Sequence, residues 1–172
     1  MAGPTAQAHD GEWYDDPEIA DNDELLRVVK TPLHVVPLGD GTYGLSPQLW
    51  TSQKGGCSVE LSSLVAADGG DAPKRVVANG GIGAAGIGVD AVRSTMNRID
   101  ERTKQGIEPL GVAYTPILDD QPFGPNPYHS DVFPKLGNPG RNTLHAKARV
   151  LLLDQKTAAE LHAARHGLKT KT

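Results

Sequence analysis

Glycine and proline make up about a fifth of this chain, with 20 glycines and 13 prolines among 172 residues. Glycine weakens helices and strands through its conformational freedom, and proline removes a backbone donor, so regular elements must be short. A chain of this length can bury one sizeable core, and apolar runs such as 150–153 require burial. We therefore predict one loop-rich domain and not a disordered chain.

Short runs of aliphatic and β-branched residues predict strands, and two segments predict helices. The Asp-Gly pair within 39–42 predicts a hairpin turn. Apolar residues at three- and four-residue spacing predict a helix over 89–105. A capping box at 157–160 predicts the start of a second helix, which Gly167 ends. The predicted strands are 25–29, 33–36, 58–61, 75–78, 110–114 and 145–153.

Proline and glycine are concentrated in residues 116–143, which predicts a long surface loop. The residues alone leave open whether 75–114 is a strand–helix–strand crossover or a helix on an antiparallel sheet. The predicted fold class is α+β, with a small, mostly antiparallel sheet, two packed helices and a long Pro/Gly-rich surface loop.

Charge is distributed unevenly along the chain. Eight of the 21 acidic residues and no Lys or Arg lie in the first 24 positions, whereas 135–172 holds eight Lys or Arg against two acids. We interpret 1–24 as an acidic mobile arm and 25–172 as a single α+β domain. Such polarity indicates that the two charges contact each other or bind partners. The strand predicted over 145–153 would place His145, Lys147 and Arg149 on a basic outer face.

Cysteine content and the lack of long apolar runs indicate in which cellular compartment the protein is expected. A single cysteine, Cys57, excludes an internal disulfide and favours a reducing environment. No apolar run approaches the roughly 20 residues of a membrane span. We expect a cytoplasmic protein without a membrane partner.

A glycine-rich segment offers one candidate ligand site. Gly81, Gly83 and Gly86 match G-x-G-x-x-G, a pattern whose backbone can approach a pyrophosphate at a helix N-terminus. No second strand carries an acid for a ribose, and a structural Gly-rich loop is the alternative interpretation. We expect no cofactor. The histidine and cysteine spacing also predicts no metal site.

Polar side chains at 126–131 form the segment most typical of a site. His129 could serve as an acid or base beside Asp131, and Arg27 or Arg141 could hold a phosphate. The alternative is a rigid turn whose polar groups cap the backbone. These residues are candidates only, because catalytic groups converge in space and not in sequence.

Four segments resemble a layout found in small uncharacterised bacterial proteins. The layout has an arginine-bearing strand, a segment of a serine followed by an aromatic residue, Ser-Val and Asn-Pro-x-His. The corresponding segments of this chain are 26–29, 44–50, 57–60 and 126–129, and Ser-Pro-Gln-Leu-Trp at 46–50 replaces the usual Ser-Ser-x-Ala-Phe. The resemblance implies a bacterial or phage origin and brings no activity with it. The chain is also similar to ADP-ribosyltransferase-like folds, in which an arginine and a serine hold a nicotinamide dinucleotide. Arg27 and Ser46 would be the counterparts, and a third, acidic position has none.

Two functions follow as expectations. The first is a protein-binding or regulatory module, an accessory of a toxin, defence or secretion system, that uses the acidic arm and the basic C-terminal face. Its expected partner is another protein, with nucleic acid as a further candidate at the basic face. The alternative is a small enzyme acting on a nucleotide or nucleic acid, either ADP-ribosyltransferase-like or a hydrolase.

Overall fold

The computed structural model describes residues 4–8, 12–52, 55–78, 80–119 and 124–167 of the chain. The helices are α1 (Ser62–Ala67), α2 (Ala72–Ala78), α3 (Val89–Arg93), α4 (Asn138–Lys147) and α5 (Gln155–His166). The strands are β1 (Glu24–Val29), β2 (Val35–Pro37), β3 (Tyr43–Leu45), β4 (Cys57–Leu61), β5 (Gly83–Gly88), β6 (Met96–Ile99), β7 (Gly106–Pro109), β8 (Gly111–Tyr114), β9 (His129–Phe133) and β10 (Arg149–Leu153).

Six of these strands form an antiparallel sheet in the order β10-β5-β1-β4-β9-β8. Two small hairpins, β2–β3 and β6–β7, accompany it. Two 3₁₀ helices, Pro32–His34 and Pro47–Trp50, lie between β1 and β4 in the sequence. The predicted α+β class with a mostly antiparallel sheet is therefore confirmed.

Strand β1 is central because both of its faces are apolar. Leu25 and Val29 belong to the main core, whereas Leu26 on the other face joins a second apolar cluster. Alternation along a strand places these two sets on opposite sides of the sheet. Helices α3, α4 and α5 and the 3₁₀ helix Pro47–Trp50 contribute to the main core, and α1 and α2 cover the second face.

The acidic N-terminal segment lies along the outer edge of β8. The backbone N–H groups of Gln7 and Asp16 donate to the carbonyls of Tyr114 and Val112, at 2.7 and 2.9 Å. The carboxylate of Asp15 accepts from the N–H of Val112 at 2.8 Å. The segment thereby satisfies backbone groups that an edge strand would otherwise leave unpaired. Whether 1–24 moves as an arm stays a prediction.

Local turn and cap signals account for the elements that were predicted well. The hairpin turn between β2 and β3 is confirmed: Asp40 accepts from the N–H and the hydroxyl of Thr42, and Gly39 and Gly41 have positive φ. Asp154 caps α5 by accepting from the N–H of Thr157, and Gly167 ends that helix with a φ of 63°. Helix α5 therefore begins at Gln155, two residues before the predicted capping box.

The interpretation of 75–105 was wrong in two places. Residues 75–78, predicted as a strand, are the last four residues of helix α2. The helix starts before them because Asp71 accepts from the N–H of Lys74 and Pro73 occupies the first helical turn, where its missing donor costs little. The helix predicted over 89–105 is only the short α3, followed by the hairpin β6–β7. Asp100 nucleates that hairpin turn by accepting from the N–H groups of Arg102 and Thr103. The apolar spacing is misleading, because the side chains of Met96 and Ile99 are exposed.

Residues 116–153 also differ from the prediction. The expected surface loop contains the interior strand β9 and the first half of α4. The strand predicted over 145–153 is the end of α4 followed by β10, so the predicted basic strand face is wrong. Lys147 donates to the Ala91 carbonyl at 3.0 Å, and Arg149 pairs with Glu24 at 2.7 Å. These cations are used within the domain; nucleic-acid binding through them stays a prediction.

Candidate functional site

A cleft of about 570 Å³ opens where β1 and β4 diverge. The two strands pair only at Leu25↔Leu61 and Leu26↔Glu60, whereas β1 pairs with β5 over six positions. Successive residues of both strands therefore line the cleft, from both faces of the sheet. Helix α2 and residues 117 and 124–126 form the remaining walls. The volume falls within the range of pockets that bind small molecules.

Arg27 bridges the divergent strands from β1. Its Nη1 donates to the carbonyl of Ser58 on β4, and its Nε donates to the carbonyl of Leu49 at 3.1 Å. Its Nη2 lies 3.5 Å from the Thr51 carbonyl. A guanidinium has five N–H donors, so these contacts leave donors for a ligand. Arg27 therefore has a structural role and also contributes charge to the cleft.

Positive charge predominates among the described residues that line the cleft. Arg27, Lys30 and Arg75 are cationic, and Glu60 is the one carboxylate among them. Arg75 Nε lies 3.5 Å from Glu60 Oε2, so these two charges balance each other. Lys30 is exposed and makes no ion pair with a described residue. The charge available to a ligand is thus at the Arg27 and Lys30 end.

The other end of the cleft is a fixed polar network. Asn126 Nδ2 donates to Glu60 Oε1 at 2.9 Å, and Arg75 Nη2 lies 3.4 Å from Asn126 Oδ1. The Arg75 guanidinium stacks on the ring of Tyr128 at 4.2 Å, and the hydroxyl of Tyr128 donates to Asp68 at 2.8 Å. Because each group is held by two or more contacts, this end is preorganised for a ligand.

His34 lies beside the cationic end in its neutral form. The backbone N–H of Lys30 donates to His34 Nδ1 at 3.2 Å, which requires a lone pair on that nitrogen. Burial lowers the pKa of His34 to about 4, and the charges of Arg27 and Lys30 contribute to the shift. His34 therefore adds no charge to the cleft near pH 7.

We expect His34 to make the fold less stable in acid. Its folded pKa lies below the ordinary value of 6.5, so between pH 6.5 and 4 the unfolded chain takes up a proton that the folded chain does not. The free energy of unfolding should fall across that window by about 1–2 kcal/mol, after discounting for solvent screening. Urea unfolding of the wild type and of His34→Asn, which keeps an acceptor for Lys30, measures this at pH 7 and 4.5. Equal losses in the two proteins would contradict the assignment.

His129 lines the cleft on β9, directly opposite Glu60 on β4. Its Nδ1 lies 2.8 Å from the Thr115 carbonyl, which can only accept, so Nδ1 carries the proton. Thr115 Oγ1 in turn donates to Asp131 Oδ2 at 2.8 Å. Asp131 lies 3.8 Å from His129 Nδ1 and is buried outside the cleft lining. The carbonyl and the Thr115–Asp131 pair fix the orientation of the ring, and Nε2 is its acceptor when neutral.

Two other candidates lie outside the cleft. Ser46 is buried, and its Oγ accepts from the N–H of Gln48, which caps the 3₁₀ helix Pro47–Trp50. Arg141 on α4 contacts Asn138 and donates to Gln48 Oε1 at 3.3 Å. Among the described residues that line the cleft, Arg141 contacts Thr51, whose Oγ1 lies 3.5 Å from Arg141 Nη1. The arginine and serine that resemble the ADP-ribosyltransferase pair are therefore not brought together in the cleft.

The glycine motif precedes and enters strand β5 and does not line the cleft. A Cβ on Gly83 would lie 2.4 Å from the Leu152 carbonyl oxygen, and one on Gly86 would lie 2.3 Å from Glu24 Oε1. A Cβ on Gly81 would lie 2.5 Å from a methyl of Val28. Close packing accounts for Gly81 and Gly83, whereas the atoms nearest Gly86 are the ends of side chains, which can shift. A role of these glycines toward a ligand stays a prediction.

Comparison with models of protein families, with curated proteins and with solved structures finds no match to this chain. Across the part of the chain that the structure describes, every helix is too short or too polar to span a bilayer.

Of the candidate residues, Arg27 and His129 both line the cleft, whereas its other ionisable residues were not predicted from the sequence. Lys30 directly follows β1 and His34 lies four residues after Lys30, so nearness along the chain could have placed them beside Arg27. Nothing in the sequence indicated that Arg75 lines the cleft, because residues 75–78 were predicted as a strand and not as part of a helix.

Proposed function

We propose that this protein binds a small anionic ligand in the cleft between β1 and β4. The observation that carries the proposal is the charge at one end, where Arg27 and Lys30 are not balanced by any carboxylate that lines the described cleft. Phosphate and carboxylate groups are the anions that arginine and lysine bind best. Hydroxyl groups of Thr31, Thr51 and Ser58 line the same region and are suited to orient such an anion.

Binding of an anionic ligand is also what the alternative function, a small enzyme acting on a nucleotide or nucleic acid, would require. Arg27 and His129, whose imidazole can accept a proton, line the same concave site. Their shared position supports a binding site for a small molecule and not a turn with a purely structural role. Catalysis itself is not part of the proposal. A cytoplasmic location also stays a prediction.

Replacing Lys30 by Met should weaken binding of inorganic pyrophosphate about tenfold, because one charge-assisted contact is lost. Lys74→Met is the matched control: Lys74 lies on α2, pairs with Asp71 at 2.9 Å and does not line the cleft. NMR titration measures both the affinity and the location of the perturbed amides. Binding should also weaken with added salt. Equal affinities for the two variants, or amide shifts far from the cleft, would exclude the proposal.

Protein binding through the acidic segment remains a second proposal. The observation that favours it is that Glu12, Asp15, Glu18 and Asp21 remain exposed although the segment is docked. The bacterial or phage origin and the toxin, defence or secretion setting belong to this proposal. Because residues before 24 contact β8, charge-neutral variants test it better than a deletion. Glu12→Gln with Glu18→Gln should reduce the salt-sensitive affinity for a partner captured by the wild type.

A further inference from the structure

The two ends of the cleft differ in chemistry and lie well apart. Leu26 pairs with Glu60, and Lys30 follows four residues later along the same strand direction. At about 3.3 Å per residue, Lys30 lies about 13 Å along the strand from the Leu26–Glu60 pair. Arg27 lies between them, and its Nη1 reaches the carbonyl of Ser58, two residues along β4 from Glu60. A ligand that occupies the whole cleft therefore has its anion at one end and a different group at the other.

The Glu60 end presents acceptors. Glu60 Oε1 accepts one hydrogen bond, from Asn126, and a carboxylate oxygen has room for a second. Acceptors on the protein select for N–H or O–H donors on the ligand.

Aliphatic side chains line the walls of the same cleft. Leu26 and Val28 come from β1, Val76 from α2, and Ile117 from the segment after β8. Such walls favour a flat ligand with apolar faces over a bare sugar phosphate, whose surface is hydroxylated throughout. A nucleobase has two apolar faces and a polar edge.

From these three features we propose that the ligand is a nucleoside monophosphate whose base carries an amino group, adenine or cytosine. Its phosphate lies at Arg27 and Lys30, and its amino group donates to the carboxylate of Glu60. This inference rests on the proposed function, because it assigns the anion of that proposal to a phosphate ester. Carboxylates select such amino groups because an oxo group in the same place would face them acceptor to acceptor.

Matched nucleotide pairs test the inference on the wild-type chain. Calorimetric titration should give adenosine and cytidine monophosphates about tenfold tighter binding than inosine and uridine monophosphates, which carry an oxo group in place of the amino group. Ribose 5-phosphate and inorganic phosphate serve as references without a base, and both should bind more weakly than adenosine monophosphate.

Glu60→Gln provides the second arm. It should reduce the amino-over-oxo preference to less than threefold, whereas Lys30→Met should weaken every phosphate ligand while the preference remains. Equal binding of the amino and oxo nucleotides to the wild type would overturn the inference even if Glu60→Gln failed to fold. If pyrophosphate still bound in a Lys30-dependent manner, the proposed function would stand; loss of all binding would remove both.

Discussion

An Arg93→Met variant should unfold with a free energy about 2–4 kcal/mol below that of the wild type. The guanidinium of Arg93, on α3, holds the acidic segment at four points. Its Nε lies 2.9 Å from Asp15 Oδ2, and its Nη1 lies 2.6 Å from Asp21 Oδ1. Its Nη1 and Nη2 also donate to the carbonyls of Ile19 and Asp16, at 2.9 and 2.6 Å. Methionine keeps the apolar stem and removes every donor.

The matched control is Arg98→Met on the neighbouring hairpin. Arg98 is largely exposed and forms an ion pair with Glu108 at 3.0 Å, so its replacement should lower the free energy of unfolding by less than about 1 kcal/mol. Denaturant unfolding compares the two variants, and limited proteolysis reports the segment itself. Arg93→Met should be cleaved within residues 12–24 faster than the wild type. If the wild type is cleaved there just as fast, the segment is an arm that moves despite its contacts.

The second large effect is expected from Arg27→Met, which should lower the free energy of unfolding by about 2–3 kcal/mol. Arg27 supplies donors to the carbonyls of Ser58 and Leu49 at the point where β1 and β4 no longer pair. Without the guanidinium these carbonyls lose a partner, and the gap between the central strands has no bridge. Ligand affinity should fall as well.

Lys30→Met is the control that distinguishes ligand binding by a cleft cation from stabilisation of the fold by that cation. Lys30 is exposed and lies at the same end, so its replacement should leave the free energy of unfolding within about 0.5 kcal/mol of the wild type. Denaturant unfolding monitored by circular dichroism measures both variants. If Arg27→Met proves as stable as Lys30→Met, Arg27 is a ligand-binding residue without a structural role.

The fold class was predictable because much of the domain is specified locally. The apolar run of β1, the turn at Asp40 and the αL glycine at 167 each act within a few residues. The short α3 was not predictable, because the apolar spacing that follows it belongs to exposed side chains of a hairpin. Strand β9 was missed because His129, Ser130 and Asp131 have polar side chains in an interior strand.

The candidate site was predictable only in part. Arg27 and His129 lie 102 positions apart in the sequence, and both line the cleft because β1 and β9 flank β4 in the sheet. The negative charge of the first 24 residues indicated that this segment contacts cations or partners. Arg93 forms ion pairs with two of its carboxylates, and it lies on α3, a helix that was predicted to extend to residue 105.

The sequence by itself determined the class of fold, the central strand and the helix and turn boundaries set by capping residues, since these follow from interactions between near neighbours. The tertiary structure decided which polar groups can be buried and where the cleft opens. The buried Asp131 accepts a hydrogen bond from Thr115, which directly follows β8, and this contact is made only in the folded sheet. The cleft exists because two strands that begin as partners diverge after two residue pairs, which is a property of the packed sheet and not of either strand.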